Sequence, residues 1–338
     1  MPASTLRTAA GIVVAVVFLW LAFGRVDWNT MTAVLANADA APLAVGLVAL
    51  AGGLFVRIVR WWVMLRALEP DVRLAACVRP FLISLAINNT MPLRAGDVAR
   101  AVAFRKALRS PVMRVVGSLV IERVLDLFVL LTLFFVGLLA LGHDAIPRAF
   151  VMTAVALGIA TLAGLLVLVV APGRLGAIVE RIASSPSAAA RPWMPRAREA
   201  AQHLFATFAL IQSPARALGL LGLSLLAWLL EGAMYACVAW SLHANASPIA
   251  PWFAAATGTL ATLIPSSPGY VGTFDYFAML GMTAFGTPRV AATAFAMVVH
   301  LMLWLPVTVI GAALLGTSGA TSGATGVVPR SSRQRSAA

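Results

Sequence analysis

Lysine is nearly missing from this chain, and charge of any kind is sparse. Of 338 residues, 11% are charged, and of the 25 basic residues only Lys106 is a lysine. A soluble domain carries about a quarter charged residues. With 61% hydrophobic residues and a mean hydropathy of +0.93, this composition excludes a soluble domain and indicates an all-α integral membrane protein. The single lysine also rules out a Gly-x-x-x-x-Gly-Lys phosphate loop. Two cysteines, Cys77 and Cys237, are too few for a disulfide framework or a cysteine metal cluster. Four histidines (His143, His203, His243, His300) have no metal-ligand spacing, and Gly-x-Ser-x-Gly does not occur. No catalytic residue, cofactor or metal site is expected. An intramembrane transferase working with one carboxylate is the enzyme class left open.

The net charge of +13 raises nucleic acid as a partner. The arginines flank apolar runs, however, so orientation in a bilayer and contact with anionic lipid account for them, and no nucleic-acid partner is expected. Runs of about 20 apolar residues place full spans at 8–23, 42–64, 116–141, 149–170, 217–242 and 290–315. A removed signal peptide is the alternative for the first run, but Ala36-Asn37-Ala38, the nearest small-residue site, lies well beyond it; a retained span is expected. Two further apolar segments, 75–91 and 252–264, are short for a crossing and read as re-entrant.

Arginine placement fits this layout. With the N-terminus inside, the cytoplasmic side receives Arg7, Arg57, Arg60, Arg66, Arg73, Arg79, the run from Arg94 to Arg114, the linker arginines and the tail, which places the C-terminus inside too. The outer side receives Arg25, Arg148 and Arg289. The two re-entrant segments then enter from opposite faces, which is an inverted-repeat arrangement. The expected organisation is one membrane domain over 1–316, containing a cytoplasmic linker at 172–213, and a disordered basic tail over 317–338. Within the linker, Leu204, Phe208 and Ile211 recur at helical spacing opposite Arg198, Glu199 and Gln202; a helix in the interface and a helix packed on the spans both satisfy that pattern.

The short segments end in related motifs. Met91-Pro92-Leu93-Arg94-Ala95-Gly96-Asp97-Val98 follows the first, and Ile264-Pro265-Ser266-Ser267-Pro268-Gly269-Tyr270-Val271 follows the second. Proline, glycine and valine recur at one displacement of 173 residues (92 to 265, 96 to 269, 98 to 271). Backbone groups freed by such breaks survive at membrane depth only where protein or a water-filled cavity satisfies them, and transporters hold cargo there. Two ordinary turns are the plain alternative.

Five acidic residues lie in or beside apolar segments: Asp97, Glu122, Asp126, Glu231 and Asp275. Each costs roughly 2.5–3.5 kcal/mol at a helix centre, so each marks a candidate site. Glu122 and Asp126 share a helix face, with Arg123 as the local counter-ion. The three are expected either to handle cargo or protons or to pin the first hairpin as a buried ion cluster. Glu231, alone in its span, is expected to face Arg94 or Arg123. Asn88 and Asn89 offer amides before the first break or cap a helix. Arg94 and Arg100 bracket Gly96 and suit a phosphate, which guanidinium binds bidentately; cytoplasmic anchoring is the alternative, stronger for Arg100. His300, inside the last span, reads as a satisfied interior histidine.

Asn88-Asn89-Thr90-Met91-Pro92-Leu93-Arg94-Ala95-Gly96-Asp97-Val98-Ala99-Arg100, Glu122-Arg123-Val124-Leu125-Asp126 and Pro265-Ser266-Ser267-Pro268-Gly269-Tyr270-Val271-Gly272-Thr273-Phe274-Asp275 closely resemble the flippase-like, lysylphosphatidylglycerol-synthase transmembrane-domain family. Arg60-Trp61-Trp62 and Glu231-Gly232 also look like that family, and the resemblance covers about residues 8–316. It implies a membrane domain, without the soluble aminoacyl-transferase half, that moves or presents lipids with polar or phosphorylated head groups. Such lipids include phospholipids, polyprenyl-phosphate-linked lipids and hopanoid-type lipids. The implied role is translocation across the cytoplasmic membrane; the alternative is a subunit that presents lipid to a separate glycosyltransferase or lipid-modifying enzyme. Arg94 and Arg123 would hold phosphate, and Glu122, Asp126, Glu231 and Asp275 would balance charge or couple to protons. The breaks at Pro92, Gly96, Pro265, Ser267, Pro268, Gly269 and Gly272 would supply backbone donors to the lipid, with Asn88, Asn89, Asp97 and Arg100 completing the same binding site.

Overall fold

A computed structural model describes residues 13–14, 16–22, 24, 26–91, 94–141, 148–170, 172–184, 191–264 and 266–323. Regular structure among these residues is entirely helical. Helix α1 (Trp28–Ala36), whose first turn is capped by the Asp27 carboxylate, leads into α2 (Ala40–Arg66) and α3 (Leu74–Thr90). After the first break come α4 (Ala95–Val102), the single turn α5 (Arg105–Leu108), α6 (Val112–Leu141) and α7 (Arg148–Val170). The linker supplies α8 (Pro172–Ala183) and α9 (Met194–Phe208), and α10 (Pro214–Ser241) follows. The second break separates α11 (Ala250–Ala261) from α12 (Thr273–Ala284), and α13 (Arg289–Gly323) closes the described chain.

Among the described residues, four helices are long and apolar enough to cross a membrane: α2, α6, α10 and the Arg289–Gly316 part of α13. They coincide with four of the six expected full spans. Of the expected span at 8–23, residues 13–14 and 16–22 are described and are helical. The one at 149–170 forms α7, whose described apolar stretch is Val155–Gly164. The long helices turn apolar side chains outward, with Val48, Leu139, Leu218 and Val309 all more than half exposed, and hold charges inward. That polarity is the reverse of a soluble bundle and is what hydrocarbon surroundings require.

With no hydrophobic drive between helices in lipid, close approach depends on small residues. The crossings here are built on glycine. A Cβ on Gly53 of α2 would stand 3.2 Å from the Ala227 carbonyl of α10. One on Gly281 of α12 would meet Thr257 Oγ1 of α11 at 2.6 Å, and one on Gly311 of α13 would press the Leu82 carbonyl of α3 at 2.7 Å. One apolar cluster joins α2, α10, α11, α12 and α13 around Tyr235, Phe274 and Phe295. A second joins α2, α3, α6 and the end of the linker around Trp61, Phe81 and Leu125.

In the linker, Phe208 and Ile211 are buried in that second cluster, and Gly117 of α6 abuts Thr207. Helix α9 thus packs against α6. Helix α8 runs beside it through the Arg198–Glu180 ion pair. At the other end, α13 continues past Gly316 to Gly323, into the stretch expected as tail; residues 324–338 lie outside the described part.

Candidate functional site

Both short apolar segments fold back on themselves. Helix α3 ends at Thr90 with Met91 extended; Pro92 lies outside the described residues, as does Pro265 in the second motif. Arg94 then takes a left-handed conformation (φ 52°) and starts α4. Asn88 Oδ1 accepts the Gly96 N–H at 2.8 Å, and a Cβ on Gly96 would overlap the Ser84 carbonyl, so α4 lies directly on the last turns of α3. Asn88 does cap a helix, but the following one rather than its own. In the second motif, Pro268–Tyr270 forms one 3-10 turn, with left-handed backbone at Gly269 (φ 70°) and Tyr270 (φ 59°). Gly272 (φ 85°) precedes α12, and its N–H donates to Asp275 Oδ2 at 2.8 Å. Helix α12 returns along α11, tied by Thr257 Oγ1 donating to the Phe277 carbonyl.

The two breaks touch. Arg94 Nε donates to the Tyr270 hydroxyl at 3.2 Å. Trp304 of α13 donates its indole N–H to the Asn89 carbonyl at 3.2 Å, and a Cβ on Gly269 would meet both Asn89 O and Trp304 Nε1 at 3.1 Å. Asn89 donates its amide to Thr308 Oγ1 at 2.9 Å. Below the second break, His300 sits between the Asp275 carboxylate (2.8 Å) and the Gly269 carbonyl (3.0 Å). Ser267 Oγ donates to the Val271 carbonyl within its own turn.

Beside the first break lies a ladder of buried charge. Arg60, with no exposed surface, donates to both oxygens of Asp126 (2.5 and 3.0 Å) and to Ser224 Oγ (2.6 Å). Trp228 adds its indole N–H to Asp126 at 3.1 Å. Glu122 faces Arg60 at 3.6 Å and Arg100 at 3.3 Å, and Arg100 lies against the faces of Trp61 and Phe81. Arg123 reaches Asp97 at 3.0 Å, which also accepts from Asn88. Arg57 pairs with Glu231 at 2.7 Å over the Trp228 ring. Four carboxylates (Asp97, Glu122, Asp126, Glu231) thus meet four guanidiniums (Arg57, Arg60, Arg100, Arg123), which removes most of the penalty of burying either sign.

Several expected pairings are corrected by this ladder. Asp126 takes Arg60 rather than its helix neighbour Arg123, because a guanidinium from the facing helix presents both N–H groups to both oxygens. Arg123 turns to Asp97 instead, and Glu231 takes Arg57, neither Arg94 nor Arg123. Arg57, Arg60 and Arg100 are buried among the helices, so Arg100 is not a surface anchor. Their three-residue spacing within an apolar run is the signal that could have shown Arg57 and Arg60 facing inward together. Tyr270, Ser224, Trp228, Trp304 and Thr308 carried no such signal. Among the described residues, no group of His, Cys, Asp and Glu could hold a metal ion.

The chain is similar to Glycosyltransferase AglD of Haloferax volcanii, 25% identical over 336 residues; the match covers 89% of this chain and 53% of that protein, so the chain spans about half the length of that relative. No solved structure matches. Residues 8–311 match the model of the lysylphosphatidylglycerol synthase TM region, and the chain belongs to that family.

Proposed function

We propose that this protein translocates an anionic or head-group-modified lipid across the cytoplasmic membrane, with the phosphate held by Arg94 and Arg123 where the two breaks meet. The observation that carries this reading is the state of Arg94. The four other guanidiniums are matched by four carboxylates, whereas Arg94, half-buried between the breaks, meets a neutral hydroxyl and, among the described residues, no carboxylate within ion-pair distance. Asp97 lies within electrostatic reach of Arg94 but is ion-paired to Arg123, so Arg94 remains open to a ligand. Arg123, 40% exposed beside Asp97, is the second guanidinium open to a head group. Arg60, Arg100, Glu122 and Asp126 hold the frame. In this arrangement 8–23 and α7 complete six crossings, and α3–α4 and α11–α12 re-enter from opposite faces with both termini inside.

The test is reconstitution of the full chain in liposomes carrying a fluorescent anionic phospholipid, with leaflet-resolved quenching. Movement above empty liposomes is expected, falling about tenfold or more in Arg94→Gln, the loss of one charge-assisted contact. No movement, or movement indifferent to Arg94, overturns the reading. The second reading, presentation of lipid to a separate enzyme, is favoured by the name of the Haloferax relative, a glycosyltransferase, and by its greater length. It predicts lipid binding that depends on Arg94 without exchange between leaflets.

A further inference from the structure

We propose that Asp275 and His300 form a proton-binding site that latches the second break, and that a proton is the ion coupled to lipid movement. The inference rests on the translocation reading for its second half only. His300 Nδ1 lies 2.8 Å from Asp275 Oδ1, and Nε2 lies 3.0 Å from the Gly269 carbonyl oxygen. Both neighbours are acceptors. A neutral imidazole has one N–H and one lone pair, so beside an ionised carboxylate it satisfies one contact and sets a lone pair against oxygen in the other. The conflict disappears when the pair carries one more proton. Either an imidazolium donates to both oxygens, or a carboxylic acid donates to Nδ1 while Nε2–H donates to the carbonyl. Asp275 Oδ2 already accepts the Gly272 N–H, which leaves Oδ1 facing the imidazole. The side chains are 15% and 6% exposed, so water does little to relieve an unmatched pair.

The surroundings leave this proton to these two groups. Phe274 packs edge-on against the imidazole at 5.1 Å. Helix α10 brings Tyr235 within electrostatic reach of Asp275, together with Glu231, which is neutralised by Arg57. From the turn comes Tyr270, engaged with Arg94. Helix α12 otherwise carries only Tyr276 as a titratable group, and α1 carries none. Arg79 of α3 donates to the Leu314 carbonyl, more than three helical turns along α13 from His300.

Loss of the proton to water leaves a carboxylate, a neutral imidazole and one broken link. Either Gly269 or Asp275 is then released from α13. Gly269 adjoins Tyr270, whose hydroxyl holds Arg94, so the protonation state reaches the phosphate site through one residue.

The site can be counted directly in the full chain in lipid nanodiscs. Nitrogen-15 NMR of labelled histidine, assigned with His300→Gln, reports the ring protons, and infrared difference spectra against Asp275→Asn report the carboxyl. Two protons are expected on the pair while both contacts hold, and one when a contact opens. A single protonated nitrogen beside an ionised carboxylate at every pH where the protein stays folded overturns the site. In liposomes, wild-type lipid movement should rise with pH by no more than about tenfold per unit, the slope one proton allows. Asp275→Asn supplies an amide N–H to Nδ1 without a titratable proton, so it should unfold thermally as wild type does and show a low, flat profile. A flat wild-type profile with two protons present overturns the coupling. If no lipid moves in any protein while the pair holds its two protons, the translocation reading fails and the proton site stands.

Discussion

Arg94 and Tyr270, 176 residues apart, are joined by a 3.2 Å hydrogen bond, and both hold left-handed backbone, with φ of 52° and 59°. A residue with a Cβ costs roughly 1–2 kcal/mol in that conformation. Two such residues facing one another mark a place where the surrounding structure overrides local preference, as happens at ligand sites. Each sits in one break, so the bond ties the α3–α4 pair to the α11–α12 pair. The preceding Gly269 extends the tie, since it lies against Asn89 and Trp304 and its carbonyl meets His300.

Tyr270→Phe removes this link and nothing else of size. A single hydrogen bond contributes about 0.5–1.5 kcal/mol, so the variant should accumulate and unfold almost as wild type does. Lipid movement should nevertheless fall several-fold, because Arg94 loses the group that orients it. Wild-type movement in Tyr270→Phe, measured in liposomes at matched protein, would take the bridge out of the mechanism.

The two motif glycines should fail differently. A Cβ at Gly96 overlaps the Ser84 carbonyl and stands 2.8 Å from Asn88 Oδ1, so Gly96→Ala pushes α4 off α3. Sharp loss of folded protein is expected. At Gly269 the nearest neighbours of a Cβ are 3.1 Å away and the main obstacle is φ of 70°. Gly269→Ala should cost about 1–2 kcal/mol, accumulate, and move lipid poorly. Size-exclusion yield in detergent separates the cases; equal yields for both would contradict the close packing of α4.

How far the sequence carried depended on the range of the interaction. The long apolar runs dictated α2, α6, α10 and α13 because length and composition alone decide whether a helix suits a bilayer. The paired motifs marked both breaks: α3 ends at Thr90 and α4 starts at Ala95, while Gly269 and Gly272 lie between α11 and α12. Pairing of charges was not legible. A local rule assigned Asp126 to Arg123, but helix crossing angles brought Arg60 closer, and nothing in the spacing of residues 60 and 126 encodes that angle. Tyr270 was hidden for the same reason: its backbone strain and its partner exist only once the two halves are docked. Helix α9 had two allowed positions by periodicity, and Gly117, which admits Thr207, belongs to another helix.

Orientation can be read by labelling at the two sides of α10. That helix is a candidate single crossing, so the chain before Pro214 and after Ser241 should lie on opposite faces. Arginine placement puts the later side outside. An impermeant thiol reagent should modify Ala246→Cys, which is exposed, and leave Gln202→Cys untouched in intact cells. Native Cys77 is buried and Cys237 half-buried within α10, so a cysteine-free background is needed only for Cys237. Modification of Gln202→Cys from outside would invert the proposed topology.

Removing one partner of a buried ion pair leaves the other uncompensated and costs about 3–5 kcal/mol, whereas replacing both with apolar residues of similar size is often neutral. Arg60 and Asp126 are the pair to test, since Arg60 is fully enclosed and binds both carboxylate oxygens. Asp126→Leu alone should lower both yield and thermal stability, and Arg60→Met alone should do so as well. The double variant Arg60→Met with Asp126→Leu should recover most of the loss, because Glu122 keeps Arg100 and the ladder remains charge-balanced. If the recovered double variant also moves lipid, these two charges hold the frame and the phosphate site stays with Arg94 and Arg123. Recovery of folded protein without lipid movement would instead place the Arg60–Asp126 pair in the path of the cargo.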